Sequence, residues 1–573
     1  MLDYLIRGGT VVDGTGRAPY RADLAVRGGR IVEIGTPNEG ATTTLDAAGL
    51  LVTPGFIDPH THYDAQLHWD AWATPSSQHG VTTVIAGNCG FTLAPLTDDD
   101  TLYTQRMMAR VEGMPLAALQ RGPSWDWHSF GEFLDRLDGE VAVNAGFMVG
   151  HCALRRFVLG ADAVERPSTE DELETIAALL HESLSAGGLG LSLTRSYTHI
   201  DGDGRPVPSR LATEDEVLRL CDIVGRYDGT SLEAITDGCI GGFDDDGAEL
   251  LAQMSARARR PLNWNLLAIA SASSQHVANQ LRPSVRAREL GGRVVALSMP
   301  VPSDQCVTLG SYCIWWMAPG WNDVLSLPLA EKKARLADPA VRARLLESAR
   351  RPEAGVGGSA ARMGSYRFGT TNARENAGLE GRLVADVAIE RGLDDLACVV
   401  AAAAAEDFDL DFWPVRPTDP DDDPSYRLRL WESPDVLLGG SDAGAHLDHL
   451  LGSPYPTRFL ADVLRGSRLL PVERAVRLMS DVPARLFGLR DRGRLTPGGI
   501  ADVAVFDPER VASGPAHRVH DLPGGAYRLL SESLGVVRVL VNGEEIICDG
   551  RPTGARPGTV LRSGRDTTGT TTS

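Results

Sequence analysis

Eight short apolar runs through the middle of the chain, many of them separated by helical stretches, constrain the fold more than any other feature. They lie at 51–58, 81–88, 141–150, 188–194, 230–235, 261–268, 293–299 and 436–441. Several are apolar at nearly every position, as strands covered on both faces are. Amphipathic segments stand between them. Thr169 and Glu172 make a capping box, and Leu173, Ile176, Ala177 and Leu180 follow at helical spacing. Another helix is expected from Leu393 to Ala405. Strands alternating with helices in this number predict an α/β fold, a (β/α)8 TIM-type barrel over 51–484. The interval between the seventh and eighth runs is much longer than one helix needs. Residues 301–390 are therefore expected to be an insertion on the catalytic side. Its Trp315, Trp316 and Trp321 would form its core or line a lid over an apolar part of a ligand.

The two ends read differently. Residues 2–49 hold short strands with glycine turns, and 501–548 hold a second such set. Neither is large enough for a core alone, so 1–50 and 485–562 are expected to join as one small β-sandwich domain. Residues 563–573, rich in Thr, Gly and Ser, read as a disordered tail. The net charge of −20 argues against nucleic acid or an anionic membrane surface as partner. No apolar run is long enough to span a bilayer, and the start lacks a signal-peptide pattern. Eight scattered cysteines without a Cys-x-x-Cys suit a reducing cytoplasm.

In a barrel of this kind the chemistry gathers at the C-terminal ends of the strands. Read there, the sequence is rich in polar and metal-binding side chains. The first run ends in His60 and His62, two imidazoles at strand spacing that are able to hold a divalent ion. The second ends near Cys89 and the third at His151. The fourth leads to Arg195, Tyr197 and His199. The fifth carries Glu233, the sixth Asn263 and Asn265, and the eighth Asp442 and His446. Each has a plain alternative. Cys89 suits a buried thiol, His151 a loop anchor, Glu233 an arginine pair, Asp442 a tight turn, and His446 with His449 a helix cap. The two lysines, Lys332 and Lys333, sit side by side in a charged helical stretch, so no lysine is placed on a strand to bridge two metals.

Four motifs together resemble the N-acyl-D-amino-acid deacylase (D-aminoacylase) branch of the amidohydrolase superfamily. They are PGFIDPHTHYD at 54–64, GNCGF at 87–91, GHCALR at 150–155 and GSDAGAH at 440–446, with TGARPG at 553–558 as a fifth likeness. The resemblance covers nearly the whole chain. It implies a barrel with a small β-domain from both ends, His60, His62 and Cys89 as metal ligands, and Asp442 as the catalytic aspartate. One departure stands out. That branch carries a metal-binding histidine after strand five and another after strand six, where this chain has Glu233, Asn263 and Asn265. The expected site is therefore one zinc or other divalent ion per chain on His60, His62, Cys89 and Asp442. Glu233 is a possible replacement ligand, and carboxylate oxygen binds zinc well. His151, Arg195, Tyr197, His199, Asn263 and Asn265 are expected to bind substrate, with Arg155 as a second candidate for a substrate carboxylate. The implied activity is hydrolysis of a small-molecule amide, an N-acyl (D-)amino acid. The alternatives are a cyclic amide or imide hydrolase and a scaffold that has lost ligands.

Overall fold

The structure is a computed structural model that describes residues 1–311, 313–415 and 422–569. It divides into two compact units, Met1–Ser303 with Asp421–Ser573, and Asp304–Pro420. The first unit holds the barrel. Its strands are Phe56–Asp58, Val81–Ala86, Asn144–Phe147 with Val149–Gly150, Gly190–Thr194, Ser231–Ile235, Pro261–Trp264, Arg293–Ser298 and Val436–Leu438. All neighbouring ladders among them are parallel. The third strand is interrupted at Met148. Its first half pairs with strand two and its second half with strand four. Strands eight and one meet through their loops, where Thr61 bridges Ala443 and the His62 N–H donates to the Ala443 carbonyl at 2.7 Å. Side chains in most of these strands are buried on both faces, which is why they read as unbroken apolar runs. The Thr169 capping box forms, and Leu173, Ile176 and Leu180 face the core from helix Glu170–Ser185.

The run at 51–58 is two strands, not one. Leu51–Pro54 belongs to the small sheet and Phe56–Asp58 to the barrel. Gly55 is the joint, because a Cβ there would lie 2.1 Å from the Thr82 side chain. Both chain ends build the small sheet. It runs through Leu2–Val11, Tyr20–Arg27, Arg30–Gly35, Ala41–Asp46 and Leu51–Pro54, then Val503–Phe506, Val536–Val541, Glu544–Cys548 and Arg551–Pro552. Asp502 ties it to the barrel. Its carboxylate pairs with buried Arg492 and accepts from the Asn542 N–H at 2.8 Å and from Asn144 of barrel strand three at 3.1 Å. Val560–Leu561, expected in the small domain, instead pairs in parallel with Ala145 and Gly146 of barrel strand three.

The tail expectation fails for 563–569. Thr567 is fully buried, bridges Leu489, and donates its hydroxyl to the Gly229 carbonyl at 2.7 Å. Composition carries no trace of such backbone pairing, so it was invisible in the sequence. Residues 570–573 lie outside the described residues.

The second unit, Asp304–Pro420, starts close to the expected insertion but runs some thirty residues further than 390. Helix Asp395–Ala405 explains the difference. Its Leu396, Val399 and Ala403 pack in the same cluster as Trp315, Trp321, Leu336, Tyr366, Phe368 and Phe412. An alanine-rich helix shows no single apolar face, so periodicity did not say which core it serves. Trp315 and Trp321 are wholly buried there, and Lys332 on helix Leu329–Ala337 donates to the Leu309 and Ser311 carbonyls. Among the described residues the eight cysteines form no disulfide. Among the described residues no helix is long and apolar enough to cross a membrane.

Candidate metal centre and active site

His60 and His62 leave barrel strand one in a loop pinned on both sides. Thr61 bonds the Ile85 carbonyl of strand two through its N–H and its hydroxyl, at 2.9 and 2.8 Å. The Asp442 N–H donates to the His60 carbonyl at 3.2 Å. Asp58 at the strand end accepts from the Ser441 N–H at 3.2 Å and so holds the strand-eight loop. Cys89 follows strand two in the left-handed region, at φ 56°. Its N–H donates to Glu233 Oε2 at 2.7 Å. Ligand atoms of His60, His62 and Cys89 lie within 4.8 Å of one another, all three buried. Asp442 reaches over them, with Oδ1 3.5 Å from His60 Nε2 and 3.2 Å from His62 Nε2, and Oδ2 3.6 Å from His446 Nε2.

This cluster suits a cation. His60 Nδ1 and both His62 ring nitrogens are buried and make no well-formed hydrogen bond. Burying unpaired polar atoms is costly unless something binds them. Five buried or partly buried carboxylates, Asp58, Asp64, Glu112, Glu233 and Asp442, surround the imidazoles. The proton distribution responds to them. Burial alone would push His62 down, but Glu112, Asp442 and Asp64 outweigh it and raise His62 to about 10. His60 is pushed down to about 3 by burial and by His62, against Asp442. Burial would raise Asp442, yet His62, His446 and His60 hold it well below the usual carboxylate range. Glu233 is pushed up by burial to about 8, and burial lifts the Cys89 thiol.

The expected substrate residues divide. Burial, and then the neighbouring His446 and His62, push His199 down to about 3, so it sits in the same field; its Nδ1 meets the Thr194 hydroxyl at 2.8 Å. Arg195 keeps one buried guanidinium nitrogen without a hydrogen-bond partner. Tyr197 is half exposed, and its N–H donates to Asp237. Asn265 Oδ1 and Asn263 Oδ1 are buried without partners, while Asn263 Nδ2 donates to the Leu232 carbonyl at 3.2 Å. His151 is a correction. Both its ring nitrogens are taken, by Ser209 Oγ and Glu216 Oε1 at 2.9 Å each. Arg155, fully buried, binds both Glu216 oxygens through Nη1 at 2.6 Å, so its charge is already matched, and only its Nε keeps no partner. His446 and His449 cap no helix, because the next one is Tyr455–Arg465.

Sequence reasoning missed Glu112. It lies past strand two at the C-cap of helix Thr101–Val111, not at a strand end. Its Oε2 is 3.5 Å from His62 Nε2, and burial raises its carboxyl to about 7 against the pull of His62. A signal existed, since an acid at a helix C-terminus opposes the helix dipole and needs another reason to be there.

A profile of the family described as "Amidohydrolase family" matches residues 43–547. D-aminoacylase of Alcaligenes xylosoxydans xylosoxydans is 29% identical over 567 residues, covering 98% of this chain and 97% of that protein. N-acyl-D-aspartate deacylase of the same organism is 29% identical over 579 residues, covering 98% and 95%. Among solved structures, N-acyl-D-glutamate deacylase from Bordetella bronchiseptica, complexed with zinc and a phosphonate inhibitor that mimics the tetrahedral intermediate, superposes with a TM-score of 0.62. It is 24% identical and covers 98% of this chain and 100% of that one.

Proposed function

The chain belongs to the amidohydrolase family, and from that premise we propose that it hydrolyses the amide bond of an N-acyl-D-amino acid with one divalent ion, zinc or a close relative. The observation that carries this reading is the buried His60, His62 and Cys89 cluster with the Asp442 carboxylate 3.2–3.5 Å from both imidazoles. The D-aminoacylase and N-acyl-D-aspartate deacylase that align over the full chain supply the substrate class.

His60, His62 and Cys89 would hold the ion, with Asp442 beside it. When bound, such an ion polarises the amide carbonyl and lowers the pKa of water toward about 7. Asp442, kept ionised by its imidazole neighbours, accepts the proton of the attacking water and returns it to the leaving amine. Its backbone, anchored to the His60 carbonyl, keeps that carboxylate over the imidazoles. Arg195 has a free buried N–H to offer a substrate carboxylate, and a guanidinium suits that geometry. Tyr197, His199, Asn263 and Asn265 would add polar contacts to the substrate. Glu233 acts on the Cys89 loop through the backbone N–H. A cytoplasmic setting fits eight cysteines that form no disulfide among the described residues.

The test is hydrolysis of N-acetyl-D-amino acids beside their L-enantiomers, hydantoin and dihydropyrimidine, by chelator-stripped and zinc-restored protein. Zinc-restored turnover of the D-acyl substrates is expected. Turnover confined to the cyclic compounds would favour a cyclic amidase, and no turnover of any would favour a scaffold.

A further inference from the structure

Where the resemblance leads one to expect two more imidazoles, this chain has Glu233 and Asn263, each of which spends one polar atom on the scaffold and keeps the other buried without a hydrogen-bond partner. Glu233 is bonded to the Cys89 N–H and Asn263 to the Leu232 carbonyl. Besides Asp442, a second acid reaches the imidazoles, and it comes from a helix end. Glu112 Oε2 stands 3.5 Å from His62 Nε2. The same nitrogen is 3.2 Å from Asp442 Oδ1, which is 3.5 Å from His60 Nε2, which is 3.6 Å from Cys89 Sγ. A tetrahedral zinc site with bonds of about 2.0–2.3 Å has ligand-to-ligand edges of about 3.3–3.8 Å. Glu112 and His62 are therefore spaced as two donors to one ion are, as are Asp442 and His60, and His60 and Cys89, while Asp442 and His62 fall just below; the five together exceed the four donors of a tetrahedron.

Glu112 is also held in place. Its carbonyl accepts the His446 N–H at 2.5 Å. Gly113 sits at φ 58°, and a Cβ there would lie 3.1 Å from His446 Cα and Nδ1, so the corner is pressed onto the strand-eight loop. The side chain is 2% exposed, and among the described residues no arginine or lysine pairs with it. A buried carboxylate at a helix C-terminus, beside His62 and two further acids, Asp64 and Asp442, calls for a cation.

We propose that Glu112 is a metal ligand in this chain, binding the ion held by His60 and His62 from a helix end outside the barrel strands. The inference rests on the metal-dependent reading above and adds a ligand to it. The experiment uses the full chain, stripped by chelator and titrated with zinc against a chromophoric competitor, and with Co(II) followed by its visible absorption. Glu112→Gln is expected to lower zinc affinity tenfold or more and to change the Co(II) spectrum, with thermal unfolding of the metal-free protein unmoved. Glu112→Asp, which keeps the charge on a shorter arm, is expected to lose less, and serves alone if the Gln variant does not fold. Wild-type affinity and spectrum in either variant that folds would overturn the proposal and leave the function standing. A wild-type chain that takes up neither ion would sink both.

Discussion

Replacing Asp442 by Asn isolates the base from the architecture around it. Asp442 sits in the left-handed region at φ 61°, which Asn tolerates as well as Asp, so the exchange adds no backbone strain. Its N–H bond to the His60 carbonyl belongs to the main chain and persists. An amide oxygen still lies near His60 and His62, but it carries no charge and cannot take a proton. Loss of general-base catalysis is commonly worth about 10²–10⁴-fold, or roughly 3–5 kcal/mol of barrier. The lost charge acts too. Metal affinity should therefore fall alongside kcat. The assay is steady-state hydrolysis of an N-acetyl-D-amino acid at saturating zinc, with metal content measured on the same samples. We expect kcat reduced at least about 10²-fold with KM changed much less. Near-normal kcat at equal metal loading would remove Asp442 from the chemistry.

Two further outcomes follow from the fold. Burial pushes His79 down to about 4, against the pull of the Ser531 carbonyl, and its ring is locked between Thr457 and Ser531. The unfolded chain takes up this proton near pH 6.5 and the folded chain only near 4, so stability is present above pH 6.5 and drains as pH falls. By pH 5 the loss is about 2 kcal/mol, and it should vanish from the difference between pH 7 and pH 5 urea unfolding in His79→Gln; equal pH slopes in the two proteins would refute it. Truncation after Leu561 should cost about 3 kcal/mol, since it removes the Thr567 bond to Gly229 and the backbone bonds joining Asp566 and Thr568 to Arg490 and Gly488; an unchanged urea midpoint would return these residues to the status of a tail.

The local sequence determined the barrel and the nucleus of the site. Eight short runs, several of them apolar at nearly every position and many separated by helical stretches, read as strands covered on both sides, and His60, His62, Cys89 and Asp442 follow their ends. What the chain could not announce were partnerships between distant segments. That Gly55 divides one apolar run between two sheets depends on Thr82 lying against it. That Thr567 is buried depends on Gly229, and that helix Asp395–Ala405 serves the second unit depends on a cluster including Trp315 and Phe412. His151 reads as a site residue until Glu216 and Ser209 take both its nitrogens. Glu112 reads as one more surface acid until the helix that carries it brings it to His62. Periodicity and capping are local and are written in neighbouring residues. Which buried carboxylate meets which imidazole is a matter of a few ångströms between elements far apart in sequence, and only their packing sets it.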